Sequence, residues 1–117
     1  MVLGRLLQRI FGGAKGIDAY GAKKLLAENR DVIVVDVRQS GEYRGGHLAN
    51  ARHVPVGLVP QKAQRMDKDA TYLVYCLHGS RSGRAASAMT RAGIKNVYKL
   101  QGGITAWQRA GFPVVKK

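Results

Sequence analysis

The chain has 117 residues and carries 20 Lys and Arg against 7 Asp and Glu, a formal net charge of +13. With 45% hydrophobic and 23% charged residues it is neither disordered nor collagen-like, and a chain of this length builds one core without metal or disulfide staples. Its longest aliphatic run, Val32 to Val35, falls far short of the roughly 20 apolar residues a membrane span needs, so one soluble globular domain is expected.

Residues 1–15 stand apart as a basic amphipathic extension. Leu3, Leu6, Leu7, Ile10 and Phe11 form an i, i+3, i+4, i+7, i+8 stripe, Arg5 and Arg9 share the other face, and Gly12-Gly13 ends the pattern. Packing on its own domain is the simpler expectation, and any contact with a membrane surface would come only through this segment. From residue 16 to 117 helical and strand patterns alternate. Asp18 is placed to cap a helix through Glu28, with Leu25 and Leu26 facing inward and Gly21 weakening it. Val32 to Asp36 reads as a buried parallel strand, and Gln39 to Gly45 as one or two helical turns. Arg52 to Val56 reads as an edge strand because it contains Pro55, and Val59 to Met66 as a helix. Tyr72 to Tyr75 is a second core strand, expected beside the first. Ser82 is expected to cap a helix to Ala92 that packs through Ala85, Ala86, Ala88, Met89 and Ala92 and stops at Gly93. Val97 to Leu100 is the last strand; after Gly102-Gly103 a helix carrying Ala106 and Trp107 runs to Gly111, ahead of Pro113. Such alternation means an α/β domain with a mainly parallel sheet.

The charge is unevenly placed. Twelve bases against seven acids leave residues 1–70 at +5, whereas residues 71–117 hold eight bases and no acid, +8. A field of this kind draws anions: small oxyanions, nucleic acid, acidic protein or acidic lipid. The single cysteine, Cys76, has no internal disulfide partner, and the three histidines (His47, His53, His78) are not at metal-ligand spacing, so no metal and no cofactor are expected. A reducing, cytoplasmic setting follows.

In open α/β sheets function gathers at the carboxyl ends of the strands, and two strands here end in reactive groups, Asp36 and Cys76. Cys76 is followed by Leu77-His78-Gly79-Ser80-Arg81 and then by the helix expected from Ser82. Backbone N–H groups turned inward at a helix start, with Arg81, Arg84 and His78 nearby, favour the thiolate over the thiol. The competing reading is a small buried hydrophobe. Asp36 and Arg38 either shape the site or form an ion-pair network with Glu42, the simpler expectation. His47 reads as structural, His53 carries no signal, and Gly102-Gly103 reads as a turn lining the site floor because no Lys-Ser/Thr follows it. Trp107 is core or pocket wall.

Cys76-Leu77-His78-Gly79-Ser80-Arg81-Ser82 resembles the active-site loop of the rhodanese-like sulfurtransferases. The resemblance extends through Asp36-Val37-Arg38, Glu42-Tyr43, Gly46-His47-Leu48 and Gly102-Gly103-Ile104 to Trp107, Gly111, Pro113 and Val114, covering about residues 16–115. It implies a rhodanese-like α/β fold, a mainly parallel five-stranded sheet flanked by helices on both faces. It also implies a single-domain sulfurtransferase in which Cys76 takes a sulfane sulfur from a donor such as thiosulfate, releases sulfite, and passes the sulfur from a persulfide to cyanide or a thiol. Amides from Leu77 to Ser82 would then hold the persulfide, and Arg81 the donor's sulfonate end. One departure stands out: the family's Gly-His-Ile-x-Gly-Ala appears as Gly46-His47-Leu48-Ala49-Asn50-Ala51, so a different turn is expected at Asn50. Leu77 and His78 do not fix the donor.

Two rivals remain. Phosphatases and arsenate reductases sharing the implied fold use a loop one residue longer than the four residues between Cys76 and Arg81, making room for a tetrahedral oxyanion. Alternatively the domain is a non-enzymatic basic binding module, or a sulfur-relay carrier that docks an acidic protein. Nucleic acid is not the expected partner, since the aromatics are scattered rather than interleaved with bases. A monomer is expected.

Overall fold

Strands and helices alternate along almost the whole of residues 13–116, which the computed structural model describes. In order they are β1 (Lys15–Ile17), α1 (Ala19–Glu28), β2 (Ile33–Asp36), α2 (Ser40–Arg44), β3 (Arg52–His53), α3 (Val59–Ala63, behind a 3-10 turn at Val56–Leu58), β4 (Thr71–Tyr75), α4 (Ser80–Arg91), β5 (Asn96–Leu100) and α5 (Gly103–Arg109). The amphipathic stripe expected over residues 1–15 lies, up to residue 12, outside the described residues. Among the described residues no helix is long and apolar enough to cross a membrane.

The five strands form one sheet in the order β1-β5-β4-β2-β3, every neighbouring pair parallel. An isolated antiparallel bridge joins His47 to Val115 outside it. β2 and β4 are apolar on both faces because both faces are covered. Val35, Val74 and Cys76 pack under α3 and α4, while Val34, Leu73, Tyr75 and Leu100 pack under α1 and α5. The sheet thus separates two apolar clusters, and helices flank it on both sides.

Asp18 caps α1 as expected, its Oδ1 accepting from Gly21 N–H at 2.7 Å. The inward face of α1 differs: Ala19 and Ala22 are buried, whereas Leu25 and Leu26 are only half-buried, because the close approach of α1 leaves room there for small side chains. The edge strand is shorter than its pattern, ending at His53. Val54 and Val56 still donate to the carbonyls of Asp36 and Val37, tying the chain on both sides of Pro55 to the end of β2. β1, three residues long, escapes the residue pattern altogether and pairs with β5. The consequence for function is positional: β2 and β4 are adjacent, with Asp36 opposite Tyr75, so Asp36 and Cys76 emerge at the same carboxyl edge.

Candidate active site

Cys76 follows β4 directly and is fully buried. Its Sγ accepts two backbone hydrogen bonds, from Gly79 N–H at 3.0 Å and from Ser82 N–H at 3.3 Å. The helix that supplies the second begins three residues earlier than the capping pattern predicts. Gly79, not Ser82, is the N-cap of α4, and it offers no side chain to the free N–H groups of the first turn. The cysteine sulfur satisfies one of them instead. Gly79 sits at φ 123°, a region L side chains rarely enter, and this turns its amide back onto the sulfur. Ser82, buried in the first turn, locks the arrangement by donating its hydroxyl to the Gly79 carbonyl at 3.0 Å. Of Leu77, His78, Gly79, Ser80, Arg81 and Ser82, then, two bring amides to the sulfur. Leu77 packs against the α1–α5 side of the core, and His78 and Ser80 are exposed.

The loop rests on the start of α5. Ile104 N–H donates to the Cys76 carbonyl at 2.9 Å and Thr105 N–H to the Leu77 carbonyl at 3.2 Å. Gly103 permits this approach: a Cβ there would collide with both carbonyls, and its φ of 61° is left-handed. Gly102-Gly103 is accordingly the floor of the site. Trp107, buried in the same helix, anchors it by donating from Nε1 to the Pro113 carbonyl at 2.8 Å.

The charged residues do not form the single Asp36–Arg38–Glu42 network their spacing predicts; they form two separate pairs. Asp36 and Arg38, both buried, meet through Arg38 Nη2 and Asp36 Oδ2 at 2.7 Å, with Arg38 Nε donating to both carboxylate oxygens at 3.1 Å. Arg38 Nη2 also donates to the Gly46 carbonyl at 2.7 Å. Burial opposes the Arg38 charge, but the Asp36 hydrogen bond and charge outweigh it and raise its pKa. Glu42 instead reaches across to the cysteine loop, accepting from Arg81 Nη1 at 2.7 Å and Nη2 at 3.0 Å, and also from Gln39 N–H at 3.0 Å. The Arg81 hydrogen bond pulls the Glu42 carboxyl down to about 2. The reason for the exchange is reach: Asp36 lies on the same strand end as Arg38, while α2 carries Glu42 out over the first turn of α4.

Two histidines frame this wall. His47 is buried, stacks on Tyr43 at 3.8 Å and donates from Nδ1 to the Tyr43 carbonyl at 2.7 Å, a structural role. His53, silent in the sequence, stacks on Tyr43 at 4.7 Å and donates from Nε2 to the Arg38 carbonyl at 2.6 Å. Nothing in its local pattern announces this, because its partners lie on other elements. At the departure point, Asn50 takes a φ of 64°, so the glycine-like conformation is kept without the glycine. Asparagine tolerates the left-handed region better than most side chains. Among the described residues no group of His, Cys, Asp and Glu side chains is placed to hold a metal ion.

Similarity to known proteins agrees with this geometry. A sulfurtransferase of Allochromatium vinosum is 35% identical over 99 residues, which cover 85% of this chain and 92% of that protein. The thiosulfate sulfurtransferase GlpE of Coxiella burnetii is 36% identical over 83 residues, 71% of this chain and 78% of its own. Among solved structures, a rhodanese-related protein of Thermoplasma volcanium matches with a TM-score of 0.80 at 30% identity, over 88% of this chain and 99% of that one. The sequence profile of the Rhodanese-like domain matches residues 18–110, from the cap of α1 through α5, and this chain belongs to that family.

Proposed function

We propose that this sulfurtransferase-type domain carries a sulfane sulfur on Cys76, taking it from thiosulfate or a similar anionic donor and handing it to a thiol, or to cyanide in an assay. The observation that carries the reading is the pair of backbone amides that donate to Cys76 Sγ at the start of α4, donors equally able to hold a sulfur on that atom. The names of the two relatives support the class of reaction.

In the first step the Cys76 thiolate attacks the outer sulfur of thiosulfate. A Cys76 Sγ–S bond forms, the donor's S–S bond breaks, and sulfite leaves with the electron pair. The persulfide keeps one negative charge. In the second step an acceptor thiolate or cyanide attacks the outer sulfur, the Sγ–S bond breaks, and the Cys76 thiolate returns. The amides of Leu77, His78, Ser80 and Arg81 have no protein acceptor among the described residues, and they are the donors available to the added sulfur and the donor's oxygens. Arg81 is partly exposed in the first turn of the helix that begins at the sulfur and is oriented by Glu42; its remaining N–H groups bind the sulfonate end. Because Cys76 is fully buried beneath a short loop, a single sulfur atom fits the approach better than a phosphoryl group with its oxygens.

Intact mass after incubation with thiosulfate tests this. The wild type gains one sulfur atom and loses it to cyanide with formation of thiocyanate, and Cys76→Ser gains none. A wild-type protein whose thiol is free and reactive, yet gains no sulfur, rules out thiosulfate as donor.

A further inference from the structure

One face of α4 leads away from the cysteine loop. Ser80, Arg84, Ser87 and Arg91 recur at i, i+4, i+7 and i+11, the spacing of a single helix face. With Val56 and Pro60 opposite, they line an open groove of about 660 Å³. From Ser80 to Arg91 the helix runs about 16 Å, which an extended peptide of roughly five residues covers. Arg84 and Arg91 are exposed, and among the described residues neither is ion-paired.

Neither wall offers an acid. Residues 56–63 and 80–91 contain Lys62, Arg81, Arg84 and Arg91 and no Asp or Glu. The acids lie elsewhere: Glu28, Asp31, Asp67 and Asp69 gather around a depression at the amino ends of β2 and β4. Asp18 caps α1 on the opposite face, and Asp36 and Glu42 are bonded to Arg38 and Arg81. The groove is therefore a strip of positive potential that begins at the residue next to the Gly79 amide on the sulfur.

We propose that this groove docks an acidic stretch of a protein acceptor, laying it along α4 so that a neighbouring cysteine reaches the Cys76 loop. The transfer of sulfur to that cysteine rests on the sulfurtransferase reading above; the docking does not. Nucleic acid suits the groove less well, because no aromatic side chain lines it to stack a base.

The test uses the full chain and a fluorescein-labelled peptide, Ser-Glu-Asp-Glu-Asp-Glu, beside a counterpart with five lysines. By anisotropy the wild type binds the acidic peptide about tenfold more tightly or better, and the affinity falls as salt rises. Arg91→Glu lowers that affinity about fivefold, while its turnover of thiosulfate and cyanide is unchanged, since Arg91 is three turns from the loop. A second arm puts Cys in place of Ser in the peptide, and the sulfur-loaded protein transfers its sulfur to the acidic version faster. Equal binding of the two peptides, or an Arg91→Glu affinity equal to wild type, overturns the docking proposal even where cyanide turnover is intact. A single-stranded RNA of equal charge that binds more tightly than the peptide and is weakened by Arg91→Glu overturns it in favour of nucleic acid. A wild type that turns over no thiosulfate and cyanide but prefers the acidic peptide upholds the docking and rules out thiosulfate as the donor.

Discussion

The Tyr75 hydroxyl donates to Asp36 Oδ2 at 2.6 Å and at the same time accepts from the Leu48 backbone N–H at 3.1 Å. The two residues face each other across β2 and β4, so one phenol joins the two strands that present the site to the segment after His47. Burial pushes the Tyr75 phenol well above its ordinary range, and the Asp36 hydrogen bond and charge add to this, so it stays a neutral donor. Tyr75→Phe keeps the ring but leaves the Leu48 N–H buried without its acceptor. The expected cost is about 1–3 kcal/mol in denaturant unfolding. A variant as stable as the wild type would mean that the hydroxyl holds nothing in place.

Gly103 tests the floor. Gly103→Ala sets a methyl against the Cys76 and Leu77 carbonyls, neither of which can yield without moving the loop. The Gly79 and Ser82 amides then lose their alignment on the sulfur. Sulfur transfer from thiosulfate to cyanide is expected to fall more than about tenfold in kcat/KM, because catalytic groups tolerate little displacement. Stability should fall by more than about 1–2 kcal/mol, the cost of a side chain at left-handed φ, because the collision with the two carbonyls adds to it. Circular dichroism of the folded variant separates the two effects, and unchanged kinetics would show that the loop does not need this contact.

Asn50 gives a milder, signed expectation. Its φ of 64° is one that alanine occupies at a cost of about 1 kcal/mol and glycine at almost none. Asn50→Ala should therefore lower the unfolding midpoint and Asn50→Gly should not. If both behave alike in thermal melts, the turn does not depend on backbone conformation at this position.

These positions mark where the chain was legible and where it was not. The α/β alternation, the strand-end cysteine and the loop glycines were visible because each depends on neighbours in sequence: apolar runs for β2 and β4, an Asp18 cap, a turn at Gly102-Gly103. β1 was hidden because three residues carry no periodicity, and it is a strand only through its pairing with β5. Ser82 imitates a cap, but the true start of α4 is governed by a sulfur that no capping rule includes. The Glu42–Arg81 and Tyr75–Asp36 pairs each span 39 residues, and spacing along a chain says nothing about partners brought together only by the sheet. The expected Asp36–Arg38–Glu42 network failed for that reason.

The Glu42–Arg81 pair is also where acidity should be felt. Arg81 holds the Glu42 carboxyl at about 2, below its unfolded value of about 4.3. A carboxylate depressed on folding adds stability that is fully present above its unfolded pKa and disappears as pH falls through the folded one. Glu42→Gln removes the charge at every pH, so the gap between wild type and variant should be widest above about pH 5 and close toward pH 2. The pair is partly exposed, with side-chain accessibilities of 25% for Arg81 and 31% for Glu42, so solvent screening keeps the gap at about 1 kcal/mol or less. The variant also releases Arg81 from its fixed position, and the KM for thiosulfate should rise while cyanide turnover at saturating donor changes little. Urea unfolding from pH 2 to 7 reads the first effect and steady-state kinetics at pH 7 the second. A stability gap that widens as pH falls contradicts the ion pair, and an unaltered KM shows that Arg81 does not depend on Glu42 to meet the donor.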